Sequence, residues 1–243
     1  GTRSLGDFNP TGNTELNSAA IVGNTVFLSL HIGDYWSIWS TPLNGGTATR
    51  LTGRCANNGD PGTQELTALT AGVVFRANDC VHGHRYWRSD GTIAGTSRLV
   101  PINPAAPWSD VSLMNIGGNR VFVSSDPSTG EELWVTDGSP TGTRVMVDIN
   151  TANNSSNSDN MFKLGSRWVF TANDGVRGRE LWSSDGTVAG TILLADINTT
   201  AENSGNTEFH NGTIAGDKLF FRTFDGTRGW ELTVTDGTVA GTR

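Results

Sequence analysis

Five polar loops carry most of the side chains in this sequence that could do chemistry: HIGDYW (31–36), NDCVHGHR (78–85), SDPSTGE (125–131), NDGVRGRE (173–180) and FDGTRGW (224–230). Four of them share an acid, at Asp79, Asp126, Asp174 and Asp225, and several add Arg177, Arg179, Arg228 or an aromatic, Tyr35, Trp36 or Trp230. A carboxylate, a guanidinium and an exposed ring in one cluster suit a polar, sugar-like ligand, through charge-assisted hydrogen bonds and a flat apolar platform. The competing reading is a solvated loop whose Asp bonds its own backbone. His82 and His84 form an HxH in the second loop. Two imidazoles could hold a transition metal, but no third ligand is evident in the sequence.

A second set of acids stands in the strings NTEL, TQEL, WSDV, SDNM and NTEF, at Glu15, Glu65, Asp110, Asp159 and Glu208. Each opens an apolar segment. If those segments line a common channel, the carboxylates form a ring at its mouth. Neighbours ~7 Å apart would repel by roughly 2 kcal/mol per pair at an effective dielectric of 20. An oxygen-only ring of that kind suits calcium or another hard cation, with no cofactor otherwise required. The alternative is that these acids cap loop backbone while facing solvent.

Catalytic signatures are missing from the sequence: there is no Gly-rich phosphate loop, nucleophile elbow or HExxH. Glycoside hydrolysis needs two acids in different environments, whereas these carboxylates recur in near-identical copies. The expectation is that the chain is not an enzyme.

The elements that position the loops come from a repeat. RELWSSDGTVAGT (179–191) returns as HRYWRSDGTIAGT, EELWVTDGSPTGT and WELTVTDGTVAGT, with a worn copy, WSIWSTPLNGGTA, near the start. One Phe aligns per copy, at Phe27, Phe75, Phe122, Phe170 and Phe221, spaced by 48, 47, 48 and 51 residues. A Trp follows twelve residues later at Trp39, Trp87, Trp134 and Trp182, and Thr233 stands there in the fifth copy. Each copy reads as four short strands, with Asp-Gly leaving the third. Four antiparallel strands per roughly 48 residues is the pattern of a propeller blade. The fifth copy lacks its fourth strand, and residues 2–8 supply one to spare. The expected fold is therefore all-β: one domain over 1–243, a five-bladed β-propeller closed by the N-terminal strand. A window cut from a longer array is the rival. In the ring, the loops between second and third strands share one face, the ligand face by propeller convention. The repeated Phe and Trp sit mid-strand and read as packing between blades. The DGT turns read as local caps, because the DxDxDG run of a calcium loop is absent.

Composition narrows the partners. Hydrophobic residues make up 35% of the 243, Gly numbers 31 and mean hydropathy is −0.29, as suits many short strands and turns. The net charge of −7, without a basic run, argues against nucleic acid and anionic membranes. No segment is long and apolar enough to insert in a membrane. The first residue is Gly, which suggests a mature or excised piece of a longer chain.

Glu132-Leu133-Trp134 with Asp137-Gly138, and Glu180-Leu181-Trp182 with Asp185-Gly186-Thr187, resemble the ELWxxDGT repeats of large secreted bacterial proteins. Arg85-Tyr86-Trp87 and Glu231-Leu232-Thr233 depart from that motif, and the first copy keeps only Trp39. The resemblance covers essentially the whole chain. It implies a propeller-like module, secreted or on the cell surface, without established catalytic residues. The blade length and count are also similar to those of five-bladed tachylectin-type lectins, an analogy of architecture alone. The expected function is lectin-like recognition or adhesion through the loops, binding a glycan or surface polymer. The alternative is a building block of a surface layer or filament, in which the loops contact neighbouring copies. Cys55 and Cys80 fall in loops of one face of the second blade, and an oxidising compartment fits a disulfide between them; two buried free thiols are the alternative.

Overall fold

The computed structural model describes residues 5, 8, 12–53, 62, 64–78, 83–99, 114–116, 119–151, 154–199, 210–224 and 227–243, with the backbone alone at 64, 65, 115, 116, 119, 126, 210 and 211. Among these residues every regular element is a β-strand, and there is no helix. Five antiparallel sheets follow one another along the chain, each a meander in sequence order. The first holds β1 (Thr14–Val22), β2 (Thr25–Ile32), β3 (Tyr35–Pro42) and β4 (Thr49–Arg50). The second holds β5 (Gln64–Leu69), β6 (Gly72–Asn78), β7 (His84–Ser89) and β8 (Ser97–Arg98). The third holds β9 (Met114–Ile116), β10 (Asn119–Asp126), β11 (Gly130–Thr136) and β12 (Arg144–Val147). The fourth holds β13 (Asp159–Leu164), β14 (Arg167–Asn173), β15 (Arg179–Ser184) and β16 (Ile192–Ala195). The fifth has three strands, β17 (His210–Ala215), β18 (Lys218–Phe224) and β19 (Trp230–Thr235).

The chain divides into two compact units, residues 1–104 with 136–143, and 105–135 with 144–243. Within the first unit, Phe27, Ile38 and Leu51 of the first sheet pack against Val73, Phe75 and Ala77 of the second. The other face of the first sheet, Val26, Leu28 and Leu30, carries Leu5, Phe8 and Trp39. Within the second unit, Val121, Val123, Leu133, Val135, Met146 and Ile149 of the third sheet meet Phe170 and Ala172 of the fourth. Leu164, Val169, Leu181 and Leu194 of the fourth meet Leu219 and Phe221 of the fifth. Each sheet thus buries one face against its neighbour, as stacked repeats must.

The repeat motif is largely consumed by this packing. The Trp of ELW donates its indole N–H to a second-strand carbonyl: Trp87 to Ala77, Trp134 to Ser124 and Trp182 to Ala172, at 3.3, 3.1 and 3.1 Å. In the fifth sheet Thr233 replaces Trp, and its hydroxyl bonds that of Thr223 at 2.6 Å, the buried pair filling the same place. Phe27 departs from the sequence frame. It lies opposite Ser40 while Leu28 lies opposite Trp39, whereas Phe75 and Phe170 lie opposite Trp87 and Trp182. The cause is the two-residue turn after Ile32, with Gly33 at φ 67°, which shifts the pairing by one and turns Phe27 to the opposite face.

The DGT segment is a seven-residue turn with its own wiring. In the fourth sheet Asp185 accepts from the backbone N–H and hydroxyl of Thr187 at 3.0 and 2.7 Å. The Thr187 hydroxyl accepts from the Gly190 N–H, and Thr191 closes the turn onto the Thr187 carbonyl. The same bonds recur at Asp90, Asp137 and Asp236, with Ser139 in place of Thr in the third. A Cβ on Gly190 would stand 2.0 Å from the Asp185 carboxylate, which is why the last Gly of the motif is fixed. Bonding to Thr187 holds the Asp185 carboxyl below the usual carboxylate range, and Thr92 does the same for Asp90.

Candidate functional site

With the repeat residues spent on scaffold, one position stands out by its variety. The residue before the ELW triplet, the first or second of each third strand, is Trp36, His84, Glu131, Arg179 or Trp230. Four of these face, in register, the second-strand residues His31, Asn78, Asn173 and Phe224. The pairing repeats in the second, fourth and fifth sheets and is shifted by one in the first, and the side chains are an indole, an imidazole, a carboxylate, a guanidinium and a second indole.

Each side chain has a distinct setting. The Trp36 ring lies 5.0 Å from that of His31, tilted by 44°, and His31 pairs across the strands with Glu15. Tyr35, beside Trp36, accepts a hydrogen bond from the Arg50 guanidinium at 2.5 Å. His84 is half-buried, and its carbonyl accepts from Arg85. Trp230 is 38% exposed, with the Arg222 guanidinium 4.7 Å above its ring and Phe224 meeting it at 5.7 Å. That stack presents a flat apolar surface beside a fixed cation. Arg228, nearby in the loop, is exposed.

The fourth sheet holds its polar residues in a network. Arg179 pairs with Asp159 and donates to the Asn157 carbonyl and the Thr171 hydroxyl at 2.7 and 2.8 Å. Burial lowers the Arg179 guanidinium, with the Glu131 charge opposing; burial raises Glu131, with Arg179 opposing. Asp159 also accepts from Thr171 and from the Asn160 amide, both at 2.5 Å. Asp174 caps its own loop, accepting from the N–H groups of Val176 and Arg177 at 2.9 and 2.8 Å, and pairs with the Arg177 guanidinium at 2.6 Å. Burial raises the Asp174 carboxyl, but those N–H groups and Arg177 outweigh it and hold it low. Arg177 reaches Asp196 as well, at 3.8 Å.

The expected loop residues are therefore distributed over the separate sheets. Tyr35 and Trp36 adjoin each other; Asp174 and Arg177 pair within one loop, while Arg179, at the start of β15, pairs with Asp159 of β13; and Arg228 and Trp230 belong to the fifth sheet. Asp79, His82 and Asp225 lie outside the described residues, and Asp126 is described only by its backbone. Of the expected acid ring, Glu15 is exposed on β1 and Asp159 is engaged by Arg179; Asp110 and Glu208 lie outside the described residues, as does the Glu65 side chain. Cys55 and Cys80 also lie outside them. Among the described residues no three His, Cys, Asp or Glu side chains converge as a metal cluster.

Sequence reasoning passed over Glu131, which is not the loop's acid, and over the glutamate after it. Glu132 is fully buried, and its carboxylate accepts the N–H groups of Ile149, Asn150 and Ser156 at 3.2, 3.3 and 3.2 Å. Glu180 holds Ile197 and Asn198 in the same way. The Glu of ELW thus latches the Asp-Ile-Asn segment that leaves the fourth strand of the third and fourth sheets. Its signal was available: a Glu inside an apolar triplet, with Asp-Ile-Asn at a fixed distance after it.

No protein-family model matches the chain, and no curated protein does. Among solved structures, TolB from Acinetobacter baumannii is 9% identical over 83% of this chain and 46% of its own, with a TM-score of 0.39. A structure from a study of two prolyl endopeptidases is 10% identical over 94% of this chain and 34% of its own, at 0.45. A putative TolB from Agrobacterium tumefaciens is 12% identical over 92% and 78%, at 0.40. The chain spans less than half the length of the first two. At these values no activity passes from them to this chain.

Proposed function

We propose that this chain is a non-catalytic, lectin-like recognition module of a secreted or surface protein of the ELWxxDGT-repeat kind. The sheets are read as the blades of a five-bladed propeller, closed by residues 2–8. Its ligand is a glycan or another polar surface polymer, taken up by the residues before each ELW and the loops beside them. The observation that carries this reading is the contrast at that position: Trp36, His84, Glu131, Arg179 and Trp230 differ while the scaffold around them repeats. Repeated residues are accounted for by the scaffold, and the varied ones give each sheet its own contact chemistry. The buried glutamates support a non-catalytic reading, since Glu132 and Glu180 are committed to backbone N–H groups. Calcium or another hard cation at the ring of first-strand acids remains part of the proposal.

The experiment is a glycan-array screen of the soluble chain with calcium present. Binding to a defined glycan group is the expected result, and silence across the array overturns the reading. The assembly alternative draws on a different observation. Ile93, Val188 and Val239, at one position of the DGT turn, are 67, 64 and 58% exposed; their backbone carbonyls accept from the N–H groups of Thr96, Thr191 and Thr242, while the exposed apolar side chains lie outside the turn's hydrogen bonding. Concentration-dependent filaments in light scattering, lost on changing those three residues to Ser, would favour it.

A further inference from the structure

The segment 154–158 crosses from the third sheet to the fourth inside one compact unit. It lies on Gly130, whose φ is 72° and where a Cβ would stand 2.9 Å from the Asn154 carbonyl carbon and the Ser155 nitrogen. Any side chain there would collide with the segment. On the side of the third sheet the Ser155 hydroxyl accepts the Glu131 N–H at 3.0 Å, and Ser156 donates its N–H and its hydroxyl to the Glu131 carbonyl at 2.8 and 3.1 Å. The Ser156 N–H is shared with the Glu132 carboxylate at 3.2 Å, which also accepts from Ile149 and Asn150. Asn150 in turn donates its side-chain amide to the Ser155 carbonyl at 3.3 Å. On the side of the fourth sheet the Ser156 carbonyl accepts the Asn173 N–H at 2.8 Å, and the Asn157 carbonyl accepts the Arg179 guanidinium at 2.7 Å.

We propose that Glu132 is a positioning residue for recognition: through the Ser156 N–H it fixes the strap 154–158, and the strap sets the spacing of the Glu131 carboxylate and the Arg179 guanidinium. The inference rests on the reading that Glu131 and Arg179 meet the ligand, and adds what holds them in place. Ser156 is fully buried and joins the two sheets by its own backbone, its N–H on Glu131 and its carbonyl on Asn173, so neither sheet shifts at this point without the other. Asn157 is held at φ 48°, a left-handed conformation that few side chains tolerate, and its carbonyl there meets Arg179. Asp159 and Thr171 take the rest of that guanidinium and leave it one orientation. Glu131 is held differently. Its backbone is bound to the strap, but among the described residues its half-buried carboxylate has no hydrogen-bond or ion-pair partner, although the Arg179 charge acts on it. A partly desolvated acceptor beside a fixed guanidinium is satisfied by a donor group of the ligand, and its usefulness depends on the spacing that the strap sets.

The test is amide hydrogen exchange of the full chain, read residue by residue by NMR without ligand, so a silent glycan screen leaves its result standing. Glu132→Gln keeps one oxygen to accept, and Glu132→Leu keeps none. The expected result is faster exchange at the Ser156 and Asn173 amides, by about tenfold in Glu132→Gln and by more in Glu132→Leu, with Phe170 and Trp182 of the fourth sheet unchanged. The Arg179 guanidinium resonances should shift in the same variants, a signature that a merely stabilising residue would not move. A uniform rise in exchange across the fourth sheet would show that Glu132 only stabilises the fold. Faster exchange confined to Ile149 and Asn150 would show that it holds only the Asp-Ile-Asn segment. Either outcome overturns the proposal. Ser155→Ala approaches the strap from a half-buried position and leaves Glu132 intact, so it serves even if Glu132→Leu does not fold. It should shift the Arg179 resonances as Glu132→Gln does; resonances unmoved in both variants overturn the link from strap to guanidinium.

Discussion

The fourth and fifth sheets lie in one unit and share one sequence pattern, yet they solve the same problem with different residues. In the fourth, Trp182 bonds Ala172, Glu180 latches Ile197 and Asn198, and Leu181 is fully buried. In the fifth, a Thr233–Thr223 hydroxyl pair replaces the indole bond, while Glu231 and Leu232 face solvent. A buried position can thus be rewritten when its partner changes too, but an acceptor residue keeps its type even where its partner is not in place.

The largest expected effect separates the sheets by truncation. Leu181→Ala should cost about 3 kcal/mol, the usual loss for a fully buried Leu. Leu232→Ala should cost a similar amount if an outer strand covers it, and less than about 0.5 kcal/mol if the edge is bare. Chemical denaturation of both variants reads the difference.

Next comes the glutamate latch. Burial raises the Glu132 carboxyl to about 7, against the pull of the Ser156 contact and the Ile149 and Asn150 N–H groups, and with Asp148 adding to the rise. A folded-state value above the unfolded one means that the native protein binds the proton more tightly. The contribution of Glu132 to stability is therefore greatest below the unfolded value and falls as pH rises to about 7. The fall is on the order of 3 kcal/mol at most. Glu132→Gln should flatten that part of the profile, which the difference between variant and native unfolding curves isolates from the other carboxylates. The turn aspartates Asp90, Asp137 and Asp185 run the other way: their values are lowered, so their stabilisation is lost as pH falls through them.

A smaller effect tests whether the DGT turns are equivalent. Gly190→Ala and Gly241→Ala place a Cβ 2.0 and 2.1 Å from the Asp185 and Asp236 carboxylates, respectively. Each should cost about 1–2 kcal/mol, chiefly by displacing a capping carboxylate. Equal losses, measured as shifts in melting temperature, would show that the fifth sheet is as rigid at this turn as the fourth. A loss confined to Gly190→Ala would break the comparison.

Much of this architecture was legible in the sequence, because a Phe, a Trp and a DGT returning in phase leave few alternatives to a stacked meander. The register of the first sheet was not. Phe27 and Trp39 keep the spacing of Phe75 and Trp87, and only the two-residue turn at Gly33-Asp34 shows that Phe27 pairs elsewhere. The site was less legible for a related reason. Asp174 was read as a ligand group or as a cap of its own loop, and the structure shows the cap, with Val176 and Arg177 as its donors. Arg179, read as a guanidinium beside that acid, pairs instead with Asp159, which the sequence placed in a separate set of acids. On the function proposed above, recurrence reports scaffold and the varied residue before it, including Glu131, carries recognition.

That distinction can be measured with two substitutions of one residue type. Trp87 is a repeated, indole-bonded residue, and Trp36 is a varied one against His31. Glycan binding and melting temperature are measured together for Trp87→Ala and Trp36→Ala. The account predicts that Trp87→Ala lowers the melting temperature by on the order of 10 °C, at about 3 kcal/mol for a large core deletion, and leaves the glycan profile of the folded fraction unchanged. Trp36→Ala should weaken binding about tenfold, as expected for loss of a stacking platform worth about 1.4 kcal/mol, with little change in melting temperature. The reverse pattern, binding lost with Trp87 and untouched by Trp36, would contradict the account.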